Sequence, residues 1–108
     1  MTKRHVTSTD VDRCAQLAHA HGWLWNAPAP AKHDLAAILI LAHGAGAPMD
    51  SDFMNDMAER LAVLGIGVLR FEFPYMAQRR IDGSRRPPNP QPKLLDCWHE
   101  VYAAVRAA

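Results

Sequence analysis

The stretch Ala36-Ala37-Ile38-Leu39-Ile40-Leu41-Ala42-His43-Gly44-Ala45-Gly46-Ala47-Pro48 decides how this chain is read. Its first part is an unbroken apolar run between the polar Lys32-His33-Asp34 segment and the glycines, with no alternation that would leave one face wet. It predicts a parallel strand over 36–42, buried on both faces. Gly44 and Gly46 then allow a sharp turn with outward-pointing amides, and such amides can stabilise a tetrahedral oxyanion in acyl transfer. The same residues also fit a plain strand-to-helix turn with no chemistry.

Downstream, Asp50 or Ser51 caps a predicted helix in which Phe53, Met57, Leu61 and Leu64 recur at helical spacing, with Gly65 at the stop position. Asp50, Asp52 and Asp56 stand near its start, where the helix dipole favours negative charge. A second strand follows over 66–73, stopped by Pro74, with Leu69, Phe71 and Phe73 on one face and Val68, Arg70 and Glu72 on the other. Strand, turn, helix and strand form a βαβ unit. A proline- and arginine-rich loop is expected from Met76 to Pro92. A last amphipathic helix over 93–107 carries Leu94, Trp98, Val101, Tyr102 and Val105 on one face, where Trp98 and Tyr102 read as core.

Upstream, Asp10 is placed to cap a short helix from Val11 to about His19, ended by Gly22. Trp23-Leu24-Trp25 reads as a brief edge strand, and the Pro28 and Pro30 region after it as a linker. The 108 residues fit one domain or part of one, and at 49% hydrophobic they are too apolar for a chain disordered throughout. Twelve Lys and Arg against eleven Asp and Glu give a net charge of +1, so no global field steers the chain to nucleic acid or an anionic membrane. No secretory signal opens the sequence, and the apolar run 35–42 is far below the roughly 20 residues that span a bilayer. Cys14 and Cys97 lie far apart and read as reduced thiols, so the expected setting is cytoplasmic.

The blocks Leu41-Ala42-His43-Gly44-Ala45-Gly46-Ala47-Pro48-Met49-Asp50-Ser51, Arg70-Phe71-Glu72-Phe73-Pro74-Tyr75-Met76 and Arg85-Arg86-Pro87-Pro88 resemble α/β-hydrolases of the dienelactone-hydrolase-like group. The most similar branch holds testis-expressed protein 30 and the hydrolase-like domain of NSL complex subunit 3. The resemblance covers about Trp23 to Ala108, leaving residues 1–22 as an N-terminal extension. It implies the opening part of an α/β-hydrolase fold: a parallel sheet fragment with helices on both faces. It also implies an ester- or acyl-hydrolysing family, with His43, Gly44, Ala45 and Gly46 as the oxyanion loop and the Ala45 amide as one donor. His43 then supports the loop and is not the triad base, which comes last in the chain order of this fold. The serines are Ser8, Ser51 and Ser84, and none has glycine at both flanking second positions, so no nucleophile elbow is present. With no catalytic residue assigned, the chain is expected to be inactive alone, acting on a small ester or acyl substrate only if the domain is completed.

A second class of function is a non-catalytic interaction or anion-binding module. Arg79, Arg80, Arg85, Arg86 and Lys93 stand against Asp82 alone, which offers an anion site, although short basic runs are more commonly a solvated face, here with arginines paired to Asp50, Asp52, Asp56 or Glu72. Nucleic acid is disfavoured because Tyr75 is the only aromatic residue near this segment. By the strand order of the resembled fold, the strand over 36–42 has an open side, a template for self-association or for a partner strand. Cys14, His19 and His21 lack a fourth ligand and match no zinc spacing, and no cofactor is expected. Ser51 reads as a helix cap and not a nucleophile.

Overall fold

The computed structural model describes residues 8–29, 37–44, 47–84 and 87–106. Ala36, Ala45, Gly46, Arg85, Arg86 and Ala107, and the end of the expected linker at 30–31, lie outside the described residues. In chain order the elements are α1 (Ser8–His21), β1 (Leu24–Asn26), β2 (Ala37–Ala42), α2 (Asp52–Val63), β3 (Ile66–Phe71), α3 (Pro74–Asp82) and α4 (Gln91–Arg106). They form the α/β architecture of a partial α/β-hydrolase fold.

Each helix starts and stops for local reasons. α1 begins three residues before the expected Val11, so Asp10 sits inside its first turn, favoured there by the dipole, and does not cap it. Gly22, at φ +73°, ends it in the left-handed conformation that suits glycine. Ser51 caps α2: its hydroxyl accepts the Met54 amide at 3.3 Å. Gly65, at φ +89°, follows the C-terminus.

Among the described residues the sheet has the order β1-β3-β2. β2 and β3 run parallel, in register from Ala37 opposite Ile66 to Ala42 opposite Phe71. The expected edge strand is present as β1, but it pairs with β3 antiparallel, Leu24 opposite Arg70 and Asn26 opposite Val68, so the sheet is mixed. The ring of Trp25 occupies the space that a side chain at Gly67 would need.

One face of the sheet carries the aromatic core. Phe71, Phe73, Tyr75, Met76 and Val101 are buried there, with Ile40, Leu94 and Trp98 packed against them. Phe71 meets Trp98 edge to face at 4.8 Å between ring centres, so α4 closes this layer. α1 joins it, burying Cys14 and Ala18 and donating from Arg13 to the Ala104 carbonyl of α4 at 3.1 Å. The other face is covered by α2, tied to β3 where Arg70 donates to Asn55.

Four expectations are corrected. α2 buries Met54 and Ala58, whereas Phe53 is 69% exposed and Leu64 73%. Both lines repeat at helical spacing, and small Ala58 lets the backbone approach β3, which turns the bulkier line outward. β2 is not buried on both faces, since Leu39 is 39% exposed: α2 sits on β3, and no described strand lies beyond β2. Residues 74–82 are helix and not loop, because Pro74 supplies a preformed first turn and Gly83, at φ +73°, a left-handed cap. Tyr102 lies 52% exposed under the Arg106 guanidinium.

Candidate functional site

The site is built where β2 ends against residues 70–73. His43 is buried, with its ring edge-on to Phe73 and Tyr75. Its Nε2 accepts the Phe73 backbone N–H at 3.1 Å, so Nε2 carries the lone pair and Nδ1 the proton, which is donated to the Gly44 carbonyl at 2.7 Å. Both ring nitrogens are therefore engaged, and the lone pair a general base would need is already used.

Gly44 is exposed, and nothing stands within 4 Å of the Cβ it lacks. Its φ is not positive, so glycine here leaves room at the strand's end without being required by the backbone conformation. Beside it opens an apolar groove of about 460 Å³, walled by Phe53, Met57 and Leu61 of α2 and floored by Leu39 and Leu41 of β2. Ser51 lies on its wall, with its hydroxyl committed to the α2 cap.

The far end of the loop is held by a polar cluster. Arg70, buried, donates from Nη1 to the Met49 carbonyl at 3.0 Å and to Asn55 Oδ1 at 2.6 Å, and from Nη2 to Asn26 Oδ1 at 2.9 Å. Its Nε is buried without a hydrogen-bond partner among the described residues. Burial pushes the Arg70 pKa below the ordinary guanidinium value, and the charges of Asp50 and Glu59 oppose that shift. Glu72 Oε2 accepts the Met49 N–H at 3.2 Å, so Met49 is gripped at both of its backbone groups. Arg80 donates to both oxygens of Glu72, at 2.8 and 2.7 Å, and to both of Asp50, at 3.2 and 2.8 Å. Burial would raise the Glu72 carboxyl, but Arg80 and the Met49 amide outweigh it and hold it below the usual range. Arg80 likewise lowers Asp50, and the two carboxylates raise Arg80.

The structure thus brings His43 and Gly44 to one groove and places Arg80 in a carboxylate clamp on α3. Arg79 is half-buried on the same helix, its Nε without a hydrogen-bond partner among the described residues. The roles of Phe73, whose amide orients His43, and of Met49 escape sequence reasoning because both act through the main chain. Among the described residues no group of three or more His, Cys, Asp or Glu side chains could hold a metal, and no helix is long and apolar enough to cross a membrane.

The sequence profile of the alpha/beta hydrolase domain matches residues 35–108, from β2 through α4. No curated protein and no solved structure matches the chain. With a strand that leads into His43-Gly44, a helix over 52–63 after it, and a profile that spans most of its length, this chain belongs to the α/β-hydrolase domain family.

Proposed function

We propose that this chain forms the oxyanion side of an ester- or acyl-hydrolysing site of the dienelactone-hydrolase-like kind, and that it binds an acyl group without turning it over alone. The observation that carries the reading is the open space at Gly44 at the mouth of the apolar groove. A carbonyl approaching Gly44 would lay its acyl chain along Leu39, Leu41 and Met57, and the next amide, that of Ala45, is the donor for the developing oxyanion. Serine attack on the carbonyl needs a base to take the hydroxyl proton. His43 is not that base, since its Nε2 lone pair is held by Phe73. Ser51 is a cap, and neither Ser8 nor Ser84 has the glycine-flanked elbow pattern. Two unlinked thiols, Cys14 and Cys97, support a cytoplasmic setting. The arginine segment supports an anion site less well, because Arg80 is already clamped by Asp50 and Glu72.

Two measurements test this. The chain should hydrolyse p-nitrophenyl butyrate no faster than its Gly44→Pro variant, and a clear excess would overturn the non-catalytic half of the proposal. Titration with octanoate should shift the amide resonance of Gly44 and the methyl resonances of Leu39 and Met57, and should do so less in Met57→Glu. Shifts spread over the surface, or none, would overturn the acyl site.

A further inference from the structure

We infer that Arg70 is the positioning residue of the acyl site: through the main chain of Met49, its guanidinium sets where the segment after β2 stands, and so where Gly44 meets a bound carbonyl. The inference rests on the acyl-site reading for its ligand, but every contact it uses lies within β1, α2, β3 and the segment from His43 to Met49.

Gly44 is not placed by its own surroundings. It is exposed, nothing stands within 4 Å of its missing Cβ, and its φ is not positive. Its position is therefore inherited from the two ends of the segment. At the near end His43 is held by the Phe73 amide. At the far end Met49 is buried in a turn outside the sheet, so its N–H and C=O need partners that no ladder supplies. Two side chains of one extended stretch provide them: Glu72 accepts the N–H, and Arg70 donates to the carbonyl.

Of these two, Arg70 is the fixed reference. Glu72 leans on Arg80, whose side chain is 44% exposed, whereas Arg70 is 6% exposed and its fork joins three parts of the fold. Nη1 serves the Met49 carbonyl and Asn55 of α2, and Nη2 serves Asn26 of β1. All three of these acceptors are uncharged oxygens. A buried cation held by neutral partners is a costly way to add stability. A planar fork with nitrogens in fixed directions is, however, suited to keeping three bodies in one relation, which the single nitrogen of lysine would not do.

The test separates placement from stability. Octanoate titrated into Arg70→Lys, followed by the Leu39 and Met57 methyl resonances, should bind at least about tenfold more weakly than to the unmodified chain, the order carried by one hydrogen bond to a charged group. Gly67→Ala, destabilised near the start of β3 and away from the segment, should keep its affinity within about twofold. Without ligand, the Gly44 amide resonance should move in Arg70→Lys and stay in place in Gly67→Ala. If octanoate does not bind the unmodified chain, the acyl-site reading falls, and the Gly44 resonance alone decides the positioning role. Circular dichroism shows whether Arg70→Lys folds. If it does not, Asn26→Ala, which removes only the far support of the fork, takes its place and should move both readouts in the same direction. Unchanged affinity in the folded variant, an equal loss in Gly67→Ala, or an unmoved Gly44 resonance would each overturn the inference.

Discussion

A methyl group added at Gly67 would stand 2.5 Å from Cη2 of Trp25 and 3.3 Å from Cδ of Pro28. Neither a ring held in a two-strand contact nor a proline ring yields easily, so Gly67→Ala should lower stability by about 1–3 kcal/mol. Urea unfolding measures the loss, and placing Gly67→Ala in a Trp25→Leu background should recover most of it. An additive double variant would show that the indole does not fill this space. Gly44 differs, with nothing within 4 Å of its missing Cβ. The two glycines look alike in the sequence because the space beside a glycine is set by residues remote in the chain. His43 was more legible. Its place between the apolar run and the glycines marks it as a loop residue, but only the fold shows that the Phe73 amide fixes its tautomer.

Among the elements, α3 shows why a strong local signal can be misread. Pro74 ends a strand equally well as it begins a helix, and the polar run after it looks like loop until Tyr75 and Met76 are seen to be buried. The helix carries Arg80 to Asp50 and Glu72, which ties α3 to the loop after β2. Both carboxyls lie below their ordinary range in the folded chain, so the folded state resists protonation more than the unfolded state does. Their stabilisation is therefore complete above the ordinary carboxylate pKa of about 4 and is lost as pH falls through the lowered folded values. Arg80→Met should flatten the acid limb of a stability-against-pH curve below about pH 4 and make it less sensitive to salt. An unchanged acid limb would show that the clamp does not bear on folding. The apolar line of α2 was legible as a line but not as to its facing, because Met54/Ala58 and Phe53/Met57 share one period and only the packing against β3 chooses between them.

At the scale of the whole molecule, α1 is packed in, with Cys14 and Ala18 buried and Arg13 reaching α4. Burial raises the Cys14 thiol pKa, Asp10 adds to that, and Arg13 opposes it. In a Cys97→Ser background Cys14 should react slowly with a thiol reagent, and Ala18→Asp, which loosens α1, should speed it at least tenfold. Equal rates would mean that α1 does not shelter the thiol. The parallel pair and the helices on both faces were legible from the apolar run and its turns. The antiparallel joining of β1 was not, since a three-residue strand carries no directional pattern. One arrangement reaches further. The segment from His43 to Met49 rests at one end on the Phe73 amide and at the other on Arg70 and Glu72. Both abutments stand on the same few residues, so the span between them is a property of that short stretch and not of the molecule around it. A displacement of residues 70–73 would therefore carry His43 and Met49 with it together, moving both anchors of the segment at once.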